Sequence, residues 1–86
     1  MYVEFRTVPL RRVEIDRLFA ALEARFLTAG GGMGGGDGEP WHGHVRLDPQ
    51  VDTAAERERL RTWLAERVAV TWTGLSDRTA SPRVSS

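Results

Sequence analysis

The chain has 86 residues, with twelve basic and twelve acidic side chains that give a formal net charge of zero at pH 7. This length suits one domain with a single core. Cysteine is absent, which excludes disulfides, thiolate metal sites and thiol catalysis. All twelve basic residues are arginine, so the chain offers no side-chain amine for a Schiff base or a phosphate-binding loop.

The same composition sets expectations about location and general partners. No apolar run approaches the roughly 20 residues of a transmembrane helix, and the N-terminus lacks the basic-then-apolar pattern of a signal peptide. We therefore expect a cytoplasmic protein without a membrane partner. Zero net charge provides no general attraction to nucleic acid.

The first elements are a strand and a helix. Residues 2–7 alternate between apolar and polar side chains, as in a half-buried strand with Val3 and Phe5 on the apolar face. Pro9 is expected to end this strand, because proline has no amide hydrogen to donate. A helix is predicted within residues 10–28, where apolar residues recur at spacings of three and four. Its apolar stripe consists of Ile15, Leu18, Phe19, Leu22 and Phe26.

A glycine tract at residues 30–38 follows and holds seven of the nine glycines. Glycine loses the most backbone entropy on ordering and offers no side chain to a core. Residues 29–39 are therefore predicted to form a flexible loop. The alternative is a fourth strand, near residues 26–29 or in part of the tract. The tract also matches G-x-G-x-x-G, but it follows a helix and precedes a strand, which is the reverse of a nucleotide site.

The second half repeats the order of strand and helix. Residues 41–48 alternate again and predict a strand that ends at Pro49. Thr53 and Glu56 match the capping box, so a helix is predicted from about residue 53 to 67. Its apolar stripe consists of Leu60, Trp63, Leu64 and Val68.

The last predicted strand covers residues 68–73, which are rich in β-branched and aromatic side chains, and ends at Gly74. Residues 76–86 contain mainly Ser, Thr, Pro and Arg, a composition that predicts a disordered tail. One domain is therefore expected over residues 1–75.

The order β-α-β-α-β predicts an α+β fold. In this two-layer sandwich, two helices cover one face of a small antiparallel or mixed sheet. A fourth strand would complete the ferredoxin-like βαββαβ pattern. No motif indicates a resemblance to a known family.

The polar side of the predicted sheet is the candidate site. The tryptophans Trp41, Trp63 and Trp72 are predicted to build the core, together with Val45, Leu47 and Val70. The other side of the sheet then displays Tyr2, Glu4, Arg6, His42, His44, Arg46, Thr71 and Thr73. The first six of these are the predicted binding residues, while no catalytic residue is identified.

This pattern favours a non-enzymatic interaction or regulatory module. Its open sheet face or an edge strand would bind another protein or a second copy of the chain. No cofactor is expected. The expected partner is another protein or a second copy of the same chain.

Two alternatives stay open. His42 and His44 lie two residues apart on one side of a strand and are weak candidates for metal binding, although a stable site needs three or four ligands. One of them could instead act as a general base that Glu4 orients. Nucleic-acid binding has less support, because sheet-face RNA binders need stacking aromatics and positive charge. In the second helix, arginines alternate with glutamates, which is typical of a solvated face.

Overall fold

The structure is a computed structural model that describes residues 1–76. Its elements follow the order β-α-β-β-α-β: β1 (Tyr2–Leu10), α1 (Arg12–Arg25), β2 (Thr28–Gly34), β3 (Glu39–Leu47), α2 (Ala54–Ala65) and β4 (Val70–Ser76). The four strands form one antiparallel sheet in the order β2-β3-β1-β4. The α+β prediction is confirmed, and β2 and β4 form the two edges of the sheet.

The core lies between the sheet and the two helices. The central strands β1 and β3 contribute alternate residues, and each helix contributes its apolar stripe. The buried apolar residues are Val3, Phe5, Ile15, Leu22, Phe26, Trp41, Val45, Leu47, Leu60, Trp63 and Leu64. Because residues of both helices share one cluster with these strand residues, both helices cover the same face of the sheet and leave the other face open.

β1 continues past Pro9, so the prediction that this proline ends the strand is wrong. The pairing with β3 is irregular between Arg6 and Pro9, and beyond the irregularity Pro9 lies opposite Pro40. Neither proline has an amide hydrogen that the ladder could leave unbonded. At the irregularity, the buried Thr7 hydroxyl accepts a hydrogen bond from the backbone N–H of Trp41 at 3.0 Å. The hydroxyl thus satisfies a buried amide that the irregular ladder leaves unpaired.

Part of the glycine tract forms a strand. The predicted loop over residues 29–39 is reduced to residues 35–38, because β2 runs to Gly34. The alternative in which the tract supplies a fourth strand is the one observed. Backbone hydrogen bonds to β3 provide the pairing without any side chain. Gly31 permits the close approach of the two strands, since a Cβ there would lie 2.5 Å from the carbonyl oxygen of His44.

The turn at residues 35–38 is fastened to the start of α1. Asp37 Oδ1 accepts a hydrogen bond from the backbone N–H of Arg12 at 2.7 Å. Gly38 has a φ of +82°, which favours glycine, and its N–H donates to the carbonyl of Leu10 at 2.8 Å. The Asp37 carboxylate therefore satisfies one of the amides that the first helical turn leaves free.

α2 begins where the capping pattern predicts. Thr53 Oγ1 accepts a hydrogen bond from the backbone N–H of Glu56 at 3.1 Å. The helix ends at Ala65, and Val68 lies in the following turn, where 98% of it is exposed. The prediction that Val68 extends the apolar stripe is therefore wrong. β4 starts at Val70, two residues later than predicted, because this turn separates it from the helix.

The predicted disordered tail, residues 76–86, begins at the last residue of β4. Residues 77–86 lie outside the described residues. Over residues 1–76, neither helix combines the length and the apolar character that crossing a bilayer requires.

Candidate functional site

The structure brings all six predicted binding residues to the sheet face that the helices leave uncovered. Their immediate neighbours in β1 and β3 are buried against the helices, and successive side chains of a strand point to opposite faces. The antiparallel register places Glu4 opposite His44 and Arg6 opposite His42. With Trp72, which is described next, these residues define the open face: Tyr2, Glu4, Arg6, His42, His44, Arg46 and Trp72.

Trp72 lies on the open face, so its predicted place in the core is wrong. The pairing of β1 with β4 is irregular after Arg6, and Thr71 is an additional residue there, whose hydroxyl donates to the Arg6 carbonyl at 3.3 Å. An additional residue reverses which side chains face the core. Trp72 therefore pairs with Arg6 and is 44% exposed, whereas Thr73 pairs with Phe5 on the helix side. The sequence alternates regularly here and gives no signal for this bulge.

The indole of Trp72 is held between a glycine and a guanidinium group. A Cβ on Gly74 would lie 2.6 Å from the indole ring, so the ring occupies the space that the glycine leaves. The guanidinium carbon of Arg6 lies 5.1 Å from the ring centroid, within the range of a cation–π contact. The result is an aromatic surface with a fixed position beside a positive charge.

The two imidazoles lie along the sheet above the glycines of β2. A Cβ on Gly34 would lie 2.8 Å from Nε2 of His42, and a Cβ on Gly32 would lie 3.1 Å from Cε1 of His44. The rings of Tyr2 and His44 meet edge to face, with centroids 5.2 Å apart, a favourable geometry for aromatic rings. The glycines of β2 therefore leave room for the histidine side chains to lie flat against the sheet. This part of the open face is accessible as a result.

The open face also encloses a shallow groove of about 500 Å³ over its centre, lined in part by Glu4, Arg6, His42, His44 and Trp72. The position of Glu4 opposite His44 is one in which a carboxylate can orient an imidazole for proton transfer. Within residues 1–76, no three His, Asp or Glu side chains lie close enough together to hold a metal ion. The polar side chains that line the groove can form hydrogen bonds with a bound partner.

The arginines of α2 lie outside this face and are paired with carboxylates. The ion pairs join Arg57 to Asp52, Arg59 to Glu56 and Arg61 to Glu58. Each of these positive charges is balanced by a carboxylate three to five residues earlier in the chain. The helix surface is therefore electrically mixed, unlike the continuous positive surface that binds a phosphate backbone.

The open face has the residue types that interfaces favour, namely aromatic side chains and arginine. Comparisons of the chain with protein-family models, with curated proteins and with solved structures found no match. The function is therefore inferred from the residues of the open face and from the edges of the sheet.

Proposed function

We propose that the protein is a non-enzymatic interaction module that binds a second copy of itself through the open face. The observation that carries this proposal is Trp72, which is 44% exposed and has the Arg6 guanidinium against its ring. The few residues that contribute most of the binding energy at protein interfaces are enriched in tryptophan, tyrosine and arginine. A second copy that covers Trp72 would remove a large apolar surface from water.

The charges of the open face favour a second copy as the partner. Glu4 contributes a carboxylate, while Arg6 and Arg46 contribute guanidinium groups to the same surface. Two-fold symmetry places one patch against an identical patch. A patch of a single sign would repel its copy, whereas a patch of mixed sign can place opposite charges against each other.

The shape of the molecule supports the same partner. Its Cα atoms fill a slab of 32 × 32 × 18 Å, whose short dimension fits one layer of helices on one sheet. The two long dimensions limit the open face to roughly 1,000 Å², and a standard interface buries about 800 Å² per partner. Two copies joined through this face would form four layers, with the helices outermost.

The proposal includes a ferredoxin-like fold and a cytoplasmic location. The element order β-α-β-β-α-β supports the fold, and the strand order, taken from the opposite edge, is β4-β1-β3-β2. The location rests on the composition alone. The enzyme, metal and nucleic-acid alternatives have less support, because the histidines lie along the sheet and the arginines of α2 are paired.

Sedimentation equilibrium over a wide range of protein concentrations tests the proposal. We expect the natural chain to form dimers and Trp72→Ala to remain monomeric at the same concentrations. Leu75→Ala is the matched control: Leu75 lies on the same strand and is 46% exposed, but it pairs with Val3 on the helix side. This control should dimerise like the natural chain, and Ala at both Arg6 and Arg46 should weaken the dimer.

Circular dichroism establishes that each variant keeps its fold. A natural chain that sediments as a monomer at every concentration would contradict the proposal. Equal loss of the dimer in Trp72→Ala and Leu75→Ala would also contradict it, because the interface would then not lie on the open face.

A further inference from the structure

β2 is an edge strand without the usual protection. It ends the sheet beyond β3, and alternate residues of an edge strand direct N–H and C=O groups outward. Proteins commonly protect such edges with charged side chains or proline. β2 has the sequence TAGGGMG, with neither, and its one irregularity lies near the start, between Thr28 and Gly30. Its glycines leave the outward backbone groups accessible.

A groove lies directly beside this edge, between β2 and α1. Its volume is about 640 Å³ and its apolar floor includes Phe19, Leu22, Met33 and Val45. Gly30, Gly31 and Gly32 line the groove on the strand side and contribute no side chains to it. At the opposite edge, the groove beside β4 is only about 160 Å³. β2 therefore combines an open edge with an adjacent apolar groove.

The charge of the groove selects one kind of partner. Among the described residues that line it, the charged ones are Asp16 and Glu23, both acidic. Asp16 forms an ion pair with Arg12 at 3.3 Å, whereas Glu23 is exposed on the rim of the groove. A second copy that paired through its own β2 would bring a strand without basic residues and a second pair of carboxylates. A strand from a basic peptide would complement the groove.

We propose that the edge of β2 binds an extended peptide as a fifth strand, with apolar side chains in the groove and a basic side chain beside Glu23. The peptide would complete the hydrogen bonds of the edge backbone, which is the general mode of β-strand addition. Its alternate side chains would point to the groove and to the opposite side of the sheet. This site is separate from the open face and does not depend on self-association.

The test is a titration followed by the ¹H–¹⁵N spectrum of the full chain. The probe is a capped heptapeptide with arginine at positions 1 and 7, valine at positions 3 and 5 and threonine at positions 2, 4 and 6, so that the valines and arginines lie on the same side of the strand. We expect saturable shifts of the amides of residues 28–34 and of Glu23. A peptide with glutamate in place of arginine should bind more weakly, and so should a peptide whose alternate amides are methylated, because it cannot pair with the strand.

Two charge-reversal variants test whether the carboxylate of Glu23 attracts the peptide. Glu23→Arg should weaken binding of the valine–arginine peptide roughly tenfold, since an attraction at the rim becomes a repulsion. Glu66→Arg makes the same change of net charge at the exposed end of α2 and should leave the affinity unchanged. Trp72→Ala should also bind the peptide normally, which separates this proposal from the dimer.

Absence of saturable binding at millimolar peptide would overturn the proposal. So would shifts confined to residues of the open face, equal affinity for the arginine and glutamate peptides, or equal loss of affinity in Glu23→Arg and Glu66→Arg.

Discussion

Arginine acts in this protein as a packing residue as well as a charge. Among residues 1–76, three guanidinium groups lie over aromatic rings: Arg6 over Trp72 at 5.1 Å, Arg59 over Phe26 at 5.8 Å and Arg67 over Trp63 at 4.1 Å. A planar guanidinium stacks on a ring in a way that a lysine ammonium does not, and each contact contributes about 0.5–1 kcal/mol at an exposed site. At these three positions arginine therefore makes packing contacts that lysine would not make.

Gly43 shows how closely β3 packs against β1. It is buried in β3, and a Cβ there would lie 2.6 Å from Cζ of Phe5, a fully buried core residue. We expect Gly43→Ala to lower the free energy of unfolding by about 1–3 kcal/mol, because the added methyl forces the Phe5 ring to move. Urea denaturation followed by circular dichroism measures the change.

Gly30→Ala is the control for this substitution, because a Cβ on Gly30 would meet no atom within 4 Å. We expect its stability to stay within about 0.5 kcal/mol of the natural chain. If the two alanine variants lost the same free energy, the packing of Gly43 against Phe5 would not be the cause.

At the scale of single residues, the sequence predicted most of the open face. The period-two alternation in residues 2–7 and 41–48 placed six polar side chains on one side, because both segments are regular where those residues lie. It misplaced Trp72 and Thr73, because a bulge at Thr71 reverses the alternation. A bulge depends on the pairing of two strands, so one strand's sequence does not reveal it.

Among the elements, α1 depends on a residue far from it in the chain. Asp37 lies in the turn between β2 and β3 and accepts the hydrogen bond of the Arg12 N–H at 2.7 Å. We expect Asp37→Ala to lower the free energy of unfolding by about 1 kcal/mol, as the loss of a helix cap does. Thermal and urea denaturation measure the loss.

Asp37→Asn tests the reason for that loss. Asparagine keeps a side-chain oxygen at the same position and caps helices as well as aspartate does, so most of the stability should return. Equal stability of the alanine variant and the natural chain would show that this hydrogen bond contributes nothing to folding.

The elements differ in how well their own sequences specify them. Both helices show apolar spacings of three and four, and α2 also has the capping residues Thr53 and Glu56, so its start was predicted within one residue. The range predicted for α1, residues 10–28, was wider than the helix itself. β2 has almost no side chains, and its strand conformation comes from hydrogen bonds to β3, which a local pattern does not encode. β1 continues past Pro9 because Pro40 lies opposite, and that pairing also depends on the partner strand.

The whole molecule has two surfaces that differ in chemistry and position. The open face carries Trp72, Arg6 and the two imidazoles, and it lies opposite the helices. The β2 edge carries accessible backbone groups and an acidic groove. A dimer formed through the open faces would leave the outward groups of β2 available, so one assembly could bind itself and a peptide at the same time.

Isotope-filtered NMR on a mixture of ¹³C,¹⁵N-labelled and unlabelled chains shows which side chains of two copies are in contact. If the open face binds a second copy, we expect intermolecular nuclear Overhauser effects from the Trp72 indole to open-face side chains such as Tyr2 and Arg46 of the other copy. We expect none that involve the exposed side chains of α1 and α2. Intermolecular effects that arise only from the helices, or none at millimolar concentration, would rule out a dimer interface on the open face.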